Sequence, residues 1–212
     1  MDMDVTLKGY PVNEEIIQKM FQEICGIELN DEVTFTLRQI GEIRENDEYS
    51  GYRVALTADY PPMAVPLKLD VTTGDKITPK EIEYSFKLLL EDRSISILAY
   101  NLETILAEKL ETVISRSDQN TRPRDYYDIY VLMKLQSQNI DLPSLKEALA
   151  ATCKKRGSAE TVKGYKQIMD QVKNSAVMQE QWSRYQKEFD YASDIPFEDT
   201  CDTVISVMES LE

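Results

Sequence analysis

Apolar and polar positions alternate through the first hundred residues, and the period then changes to that of helices. DVTLKG, at positions 4–9, alternates and is rich in strand formers. Asn13 stands where it can cap an amphipathic helix whose apolar face is Ile16, Ile17, Met20, Phe21 and Ile24, and Gly26 ends that helix. EVTFTLRQIGEIRE and GYRVALTADY predict two strands around the turn-like RENDEYSG, and AVPLKLDVTT predicts a third, which together suit an antiparallel run. Beyond the connection TTGDKITPKEI, EYSFKLLL and SISILAY predict two further strands joined by EDRS.

From Asn101 onward the helical period persists through NLETILAEKLETVISR, PRDYYDIYVLMKLQ, PSLKEALAATCKKR, SAETVKGYKQIMDQV, SAVMQEQWSRYQKEF and PFEDTCDTVISVMESL. Pro143 and Pro196 stand at or near helix starts, and Ser144, Ser158 and Ser175 are candidate N-caps. Trp182, Tyr185 and Phe189, at i, i+3 and i+7, read as core of the last helical pair rather than a partner surface. A run of strands followed by a run of helices predicts an α+β part over residues 1–100 and a helical domain over residues 101–212.

Composition narrows the chemistry. With 212 residues, 42% hydrophobic and 29% charged, the chain is expected to fold as an ordinary globular protein. No apolar run approaches the roughly 20 residues of a membrane span, and the basic and apolar regions of a signal peptide are missing, so the expected compartment is the cytoplasm. Cys25, Cys153 and Cys201 are scattered, odd in number and without CxxC spacing, which predicts reduced interior thiols and argues against zinc. Histidine is absent, which excludes Ser-His and Cys-His nucleophile schemes and leaves carboxylates, lysine, arginine and tyrosine. A net charge of −14 disfavours broad nonspecific contact with nucleic-acid phosphates, although it suits solubility or a basic partner protein.

Four places carry candidate chemistry. On a strand, Asp2 and Asp4 would project from one face with Cα atoms about 6.6 Å apart, a spacing that suits a hard cation; the competing reading is a pair of solvated acids at a chain end. Asp70, between Leu69 and Val71 in PLKLDVTTGD, is costly on an apolar strand unless paired or metal-bound; a strand-end acid capped by backbone is the alternative. If its strand lies beside the first, Asp2, Asp4 and Asp70 converge. Lys109 lies next to the apolar face of Ile105, Leu106, Leu110 and Val113, where it reaches a phosphate, snorkels to water or pairs with a Glu at i±4. In SDQNTRPRDYYDIYVL, Arg122 and Arg124 precede Asp125, and Asp128 follows on the same helix face. Arginine suits phosphate, and the acids could orient the lysine or accept a proton; equally, acids in a first turn answer the helix dipole while Tyr126, Tyr127 and Tyr130 form a packing face.

DMDVTLKG, LKLDVTTGDKITP, YNLETILAEKLETVISR and NTRPRDYYDIYVL together resemble the AbiEii-type nucleotidyltransferases, toxin components of abortive-infection toxin–antitoxin systems in the DNA polymerase β-like superfamily. The resemblance spans residues 1–135 and implies a small mixed, largely antiparallel sheet with flanking helices, followed by a helical C-terminal domain. It implies metal-binding roles for Asp2, Asp4 and Asp70, with Mg²⁺ or Mn²⁺ as the ion. It further implies a nucleotide-phosphate or catalytic role for Lys109, phosphate contact by Arg124, and active-site roles for Asp125 and Asp128. The reaction implied moves a nucleotidyl group from a nucleoside triphosphate to a transfer-RNA end or a protein side chain, within a system that includes a cognate antitoxin and no membrane.

One departure bears on activity. Family members usually carry a Gly-Gly-Ser/Thr helix start upstream of the DxD, which receives the nucleotide's phosphates, and this chain has none there. The expectation is a start at an internal methionine, with a strand, a helix and the phosphate cradle missing. A positive α-amino group one residue from Asp2 would also compete with metal. The alternative function is therefore a truncated or degenerate, non-catalytic member that acts as a binding module; a phosphohydrolase using the same carboxylates is a third.

Overall fold

Alternation gives each early strand one apolar face, and four of them assemble around it. In the computed structural model, which describes residues 2–9, 13–29, 31–43, 51–73 and 77–212, these are β1 (Asp2–Leu7), β2 (Thr34–Glu42), β3 (Tyr52–Tyr60) and β4 (Met63–Thr73). The expected RENDEYSG turn falls largely outside the described residues. The sheet order is β1-β4-β3-β2, with β1 parallel to β4 and the other pairs antiparallel, so the sheet is mixed and largely antiparallel. Between β1 and β2 runs α1 (Glu14–Cys25), whose first turn is capped by the Asn13 side chain accepting from the Ile16 N–H at 2.8 Å. Gly26 ends α1 in a right-handed conformation. Ile17 and Phe21 of α1 join Tyr52, Val54, Leu56 and Val71 in a buried core, while Ile24, expected on the same face, is 46% exposed.

β5 (Ile82–Lys87) and β6 (Ser94–Ala99) form a separate antiparallel hairpin in which Tyr84 pairs with Ile97 and Phe86 with Ile95. Leu88, Leu89 and Leu90, expected in the strand, lie in the connection instead.

The helices are α2 (Leu102–Arg116), α3 (Pro123–Gln136), α4 (Leu142–Arg156), α5 (Ala159–Lys163), α6 (Tyr165–Asn174), α7 (Ala176–Glu188) and α8 (Phe197–Ser210). The expected helix SAETVKGYKQIMDQV is two helices, divided at Gly164, a residue type disfavoured in a helix interior. Capping also differs in detail. Ser175 accepts from the Met178 N–H as expected, but Ser158 makes no capping bond, and α4 is capped by Asp141, which accepts from the Ser144 N–H at 2.9 Å. Asp141 is the better acceptor because a carboxylate offers charge to the exposed helix N–H groups. Leu106, Leu110, Ile114, Tyr126, Ile129, Leu145, Met169 and Val204 are fully buried in the helical core, and Trp182 and Tyr185 are core residues as expected, with Phe189 packed against them. Cys153 and Cys201 are buried, Cys25 is half-buried, and all three are free thiols.

The chain divides into two compact units, Met1–Asp75 and Lys76–Glu212, which assigns the β5–β6 hairpin to the helical unit; the change of period at Asn101 is a change of element type within that unit. Asn101 makes the join. Its side chain accepts from the Thr104 N–H at 2.7 Å, capping α2, and donates to the Thr78 and Lys80 carbonyls at 2.8 and 2.9 Å. Replacing it removes the cap of α2 and two bonds to the preceding segment, so Asn101→Ala is expected to lower stability by about 1–2 kcal/mol in urea unfolding.

Candidate active site

In the first unit, the register places Asp2 beside Lys68, Asp4 beside Asp70 and Thr6 beside Thr72. Neighbours in register share a face, and the side-chain period of two sends Val5, Leu7, Leu69 and Val71 to the other. Asp4 and Asp70 are therefore brought together on the polar face of β1 and β4, as the sequence leads one to expect. The Asp2 side chain lies outside the described part of the structure, although its backbone continues the same strand. The Thr6 and Thr72 hydroxyls lie 2.9 Å apart and extend the polar strip.

A residue that sequence reasoning missed completes this face. Arg53 of β3 stands in register with Asp70 and grips its carboxylate with two parallel bonds, Nε to Oδ1 and Nη2 to Oδ2, each 2.7 Å. The demand that Asp70 be paired was legible, and alternation in GYRVALTADY places Arg53 opposite the inward Tyr52 and Val54, which is the signal that could have found it. The Arg53 hydrogen bonds hold the Asp70 carboxyl below the usual carboxylate range; partial burial opposes them, and the charges of Arg53 and Lys68 add to them. Asp4 makes no hydrogen bond or ion pair with the described residues, and it is exposed.

The donor set suits a hard cation in part. Magnesium is commonly held by one or two carboxylates together with substrate phosphates, and Asp4 and Asp70 supply two adjacent carboxylates. Among the described residues no group of three acids, cysteines or histidines is arranged around one point.

In the second unit, α2 carries Lys109 and α3 carries Asp125 and Asp128. Pro123 occupies the first position of α3, where its fixed φ suits the helix and its missing N–H costs nothing. Asp125 follows in the first turn and Asp128 one turn later, on one face. The buried Asn120 side chain accepts from the Arg122 N–H at 3.0 Å and fixes the entry of the chain. The Lys109 amine donates to Asp125 Oδ1 at 3.0 Å and to Asp128 Oδ2 at 2.6 Å, and Arg124 Nε stands 3.9 Å from Asp128 Oδ2. Lys109 thus neither snorkels to water nor pairs within its own helix; it clasps α2 to α3.

Burial by itself would make Lys109 easier to deprotonate, but the bond to Asp128 and the charges of both acids outweigh it, so its pKa rises above the ordinary lysine value. The amine is a fixed cation at neutral pH and cannot serve as a general base. Two of its three protons are committed, which leaves one donor for another group. Beside this cluster is a set of tyrosines. Tyr127 packs on Tyr191 with ring centroids 4.7 Å apart, and the Tyr185 and Tyr191 hydroxyls lie 3.0 Å apart. Burial, the Tyr191 hydroxyl and the negative charge of Asp128 together keep Tyr185 protonated far above its usual range. Tyr126 is fully buried against Phe197, whereas Tyr130 lies beneath the Lys134 amine. A hollow of ≈ 380 Å³, lined by residues including Tyr130, Met133, Asp199 and Asp202, does not include Lys109 or its acids.

A family model for the AbiEii nucleotidyl transferase toxin of type IV toxin–antitoxin systems matches residues 1–203, and the chain belongs to that family. Two solved structures are similar over 99% of this chain. One, a Helicobacter pylori protein provisionally classed as a nucleotidyltransferase, is 16% identical over 77% of its own length, with a TM-score of 0.43. The other, JHP933 from Helicobacter pylori, is 15% identical over 75% of its length, also with a TM-score of 0.43. No curated protein matches the chain.

Removing the Lys109 amine would strand two carboxylates that are 14% and 24% exposed. Lys109→Met is expected to cost about 1–3 kcal/mol in urea unfolding, discounted from a fully buried pair for that exposure, and Asp125→Asn or Asp128→Asn less, since each leaves the lysine one acid. Because the folded pKa is raised, this stabilisation is complete below the unfolded lysine value of about 10.4 and disappears as pH climbs through the folded one.

Proposed function

We propose that the chain is a cytoplasmic, metal-dependent nucleotidyltransferase that uses a nucleoside triphosphate and acts as the toxin beside a cognate antitoxin. The observation that supports this most is the placement of Asp4 beside Asp70 on one face of adjacent strands, in a chain of the AbiEii family. Asp4 and Asp70, with Asp2, would hold Mg²⁺ or Mn²⁺. When bound, such an ion neutralises phosphate charge and orients the triphosphate.

An acceptor oxygen attacks the α-phosphorus. The new O–P bond forms as the bond from the α-phosphorus to the bridging oxygen breaks, pyrophosphate departs, and the acceptor's proton passes to solvent. Within the second unit, a phosphate-binding role for Lys109 is supported by its third N–H, whose direction Asp125 and Asp128 fix. Arg124, exposed on the first turn of α3 beside Asp128, is a further phosphate-binding candidate of that unit. The acceptor is an RNA end or a protein side chain, and the −14 charge favours a small contact area if it is RNA.

The competing reading, a non-catalytic binding module, is favoured by one observation: Asp70 is already held by Arg53. Isothermal titration of ATP, CTP, GTP and UTP with Mg²⁺ separates the two. Wild type is expected to give metal-dependent heat with at least one of them, and the Asp4→Asn/Asp70→Asn double variant none. Equal heats from both proteins would contradict the assignment. Lys109 is left intact in this test, because its loss unsettles the helices.

A further inference from the structure

Resting on the metal reading above, we propose that Arg53 is an internal cation that competes with the divalent ion for Asp70, so that metal binding requires the guanidinium to let go. The geometry carries the argument. Asp70 has two carboxylate oxygens, and Arg53 occupies both, with Nε on Oδ1 and Nη2 on Oδ2 at 2.7 Å. A bidentate grip of this kind takes one in-plane lone pair on each oxygen, the two positions a chelating metal would use, because guanidinium and carboxylate match fork to fork. Arg53 cannot relieve the conflict by losing its proton, since arginine remains charged at any ordinary pH. A divalent ion and Arg53 therefore exclude one another on Asp70, or share it with the ion confined to one oxygen.

Asp4 shows where the ion would wait. It lies in register with Asp70 on β1, while Arg53 lies in register with Asp70 on the other side, from β3. Asp70 is thus the middle member of a three-strand row, with a carboxylate on one flank and a guanidinium on the other. An ion that arrives at Asp4 draws the Asp70 carboxylate from the opposite direction. The Arg53 side chain is 55% exposed and that of Asp70 26%, so the pair is partly solvated and its release is affordable. Once released, the guanidinium's N–H fork faces a bound triphosphate, whose charge replaces that of Asp70. Arg53 is in this account a positioning residue that makes metal binding depend on nucleotide.

Mn²⁺ binding tests this, read from loss of the free-ion paramagnetic resonance signal, in wild type, Arg53→Gln and Arg53→Lys, each with and without a non-hydrolysable nucleoside triphosphate. Arg53→Gln is expected to bind Mn²⁺ at least about fivefold more tightly than wild type without nucleotide. Arg53→Lys, which keeps the charge but not the fork, is expected to fall between them. Nucleotide is expected to tighten Mn²⁺ binding in wild type more than in Arg53→Gln. A merely structural Arg53 would give equal or weaker binding in the variants, and that result overturns the proposal while leaving the metal site intact. Absence of Mn²⁺ binding from all three proteins, with and without nucleotide, overturns the metal reading and this proposal together. If Arg53→Gln fails to fold, equal affinity of Arg53→Lys and wild type is sufficient to reject the proposal.

Discussion

The parallel pairing of β1 with β4 is the constraint on which the first unit depends. Strand side chains alternate, so register decides everything on such a sheet: a slip of one residue would turn Asp4 into the core and Val5 out to water. The register is secured by the apolar face, where Leu7 of β1 packs against a core of Val71, Val54, Leu56, Tyr52 and, from α1, Ile17 and Phe21. Hydrophobic burial on one side thus fixes the positions of charges on the other. Asp4 and Asp70 are neighbours because Val5 and Val71 are.

The second unit relies on a different device. Lys109 sits among apolar neighbours on α2, where a lone cation would be costly, and the cost is offset by two acids that α3 presents at successive turns. Arg156 likewise answers the buried Glu111 on α2 and also donates to Thr112, which fastens α4 to the same helix. α2 is therefore held by ion pairs on two sides, in addition to its buried leucines. Such pairs specify which helices meet, and at Lys109 they also fix a positive charge in one orientation, which is the property a phosphate-binding group requires.

Much of this was legible in the sequence, and the reasons differ by element. β1 to β4, α1 and most of the helices follow from period and caps, because each buries one face against a single neighbour. The adjacency of the strands carrying Asp4 and Asp70 was reached only as a condition, since strand order is decided by non-local pairing that no local pattern encodes. Arg53 went unnoticed because its partner is 17 residues away across a strand pair, although the cost of an unpaired Asp70 announced that some partner existed. The break at Gly164 and the capping of α4 by Asp141 were missed for a local reason: a helical period continues across both, and only backbone geometry marks the boundary.

The most direct test of the central claim is the pattern of amide signals broadened by substoichiometric Mn²⁺ in the nitrogen–proton spectrum of the labelled protein with nucleotide present. The account predicts that broadening is centred on Asp4 and Asp70 and their strand neighbours. Broadening centred instead on the acids of α8, Asp199 and Asp202, or no site-selective broadening at all, would contradict it.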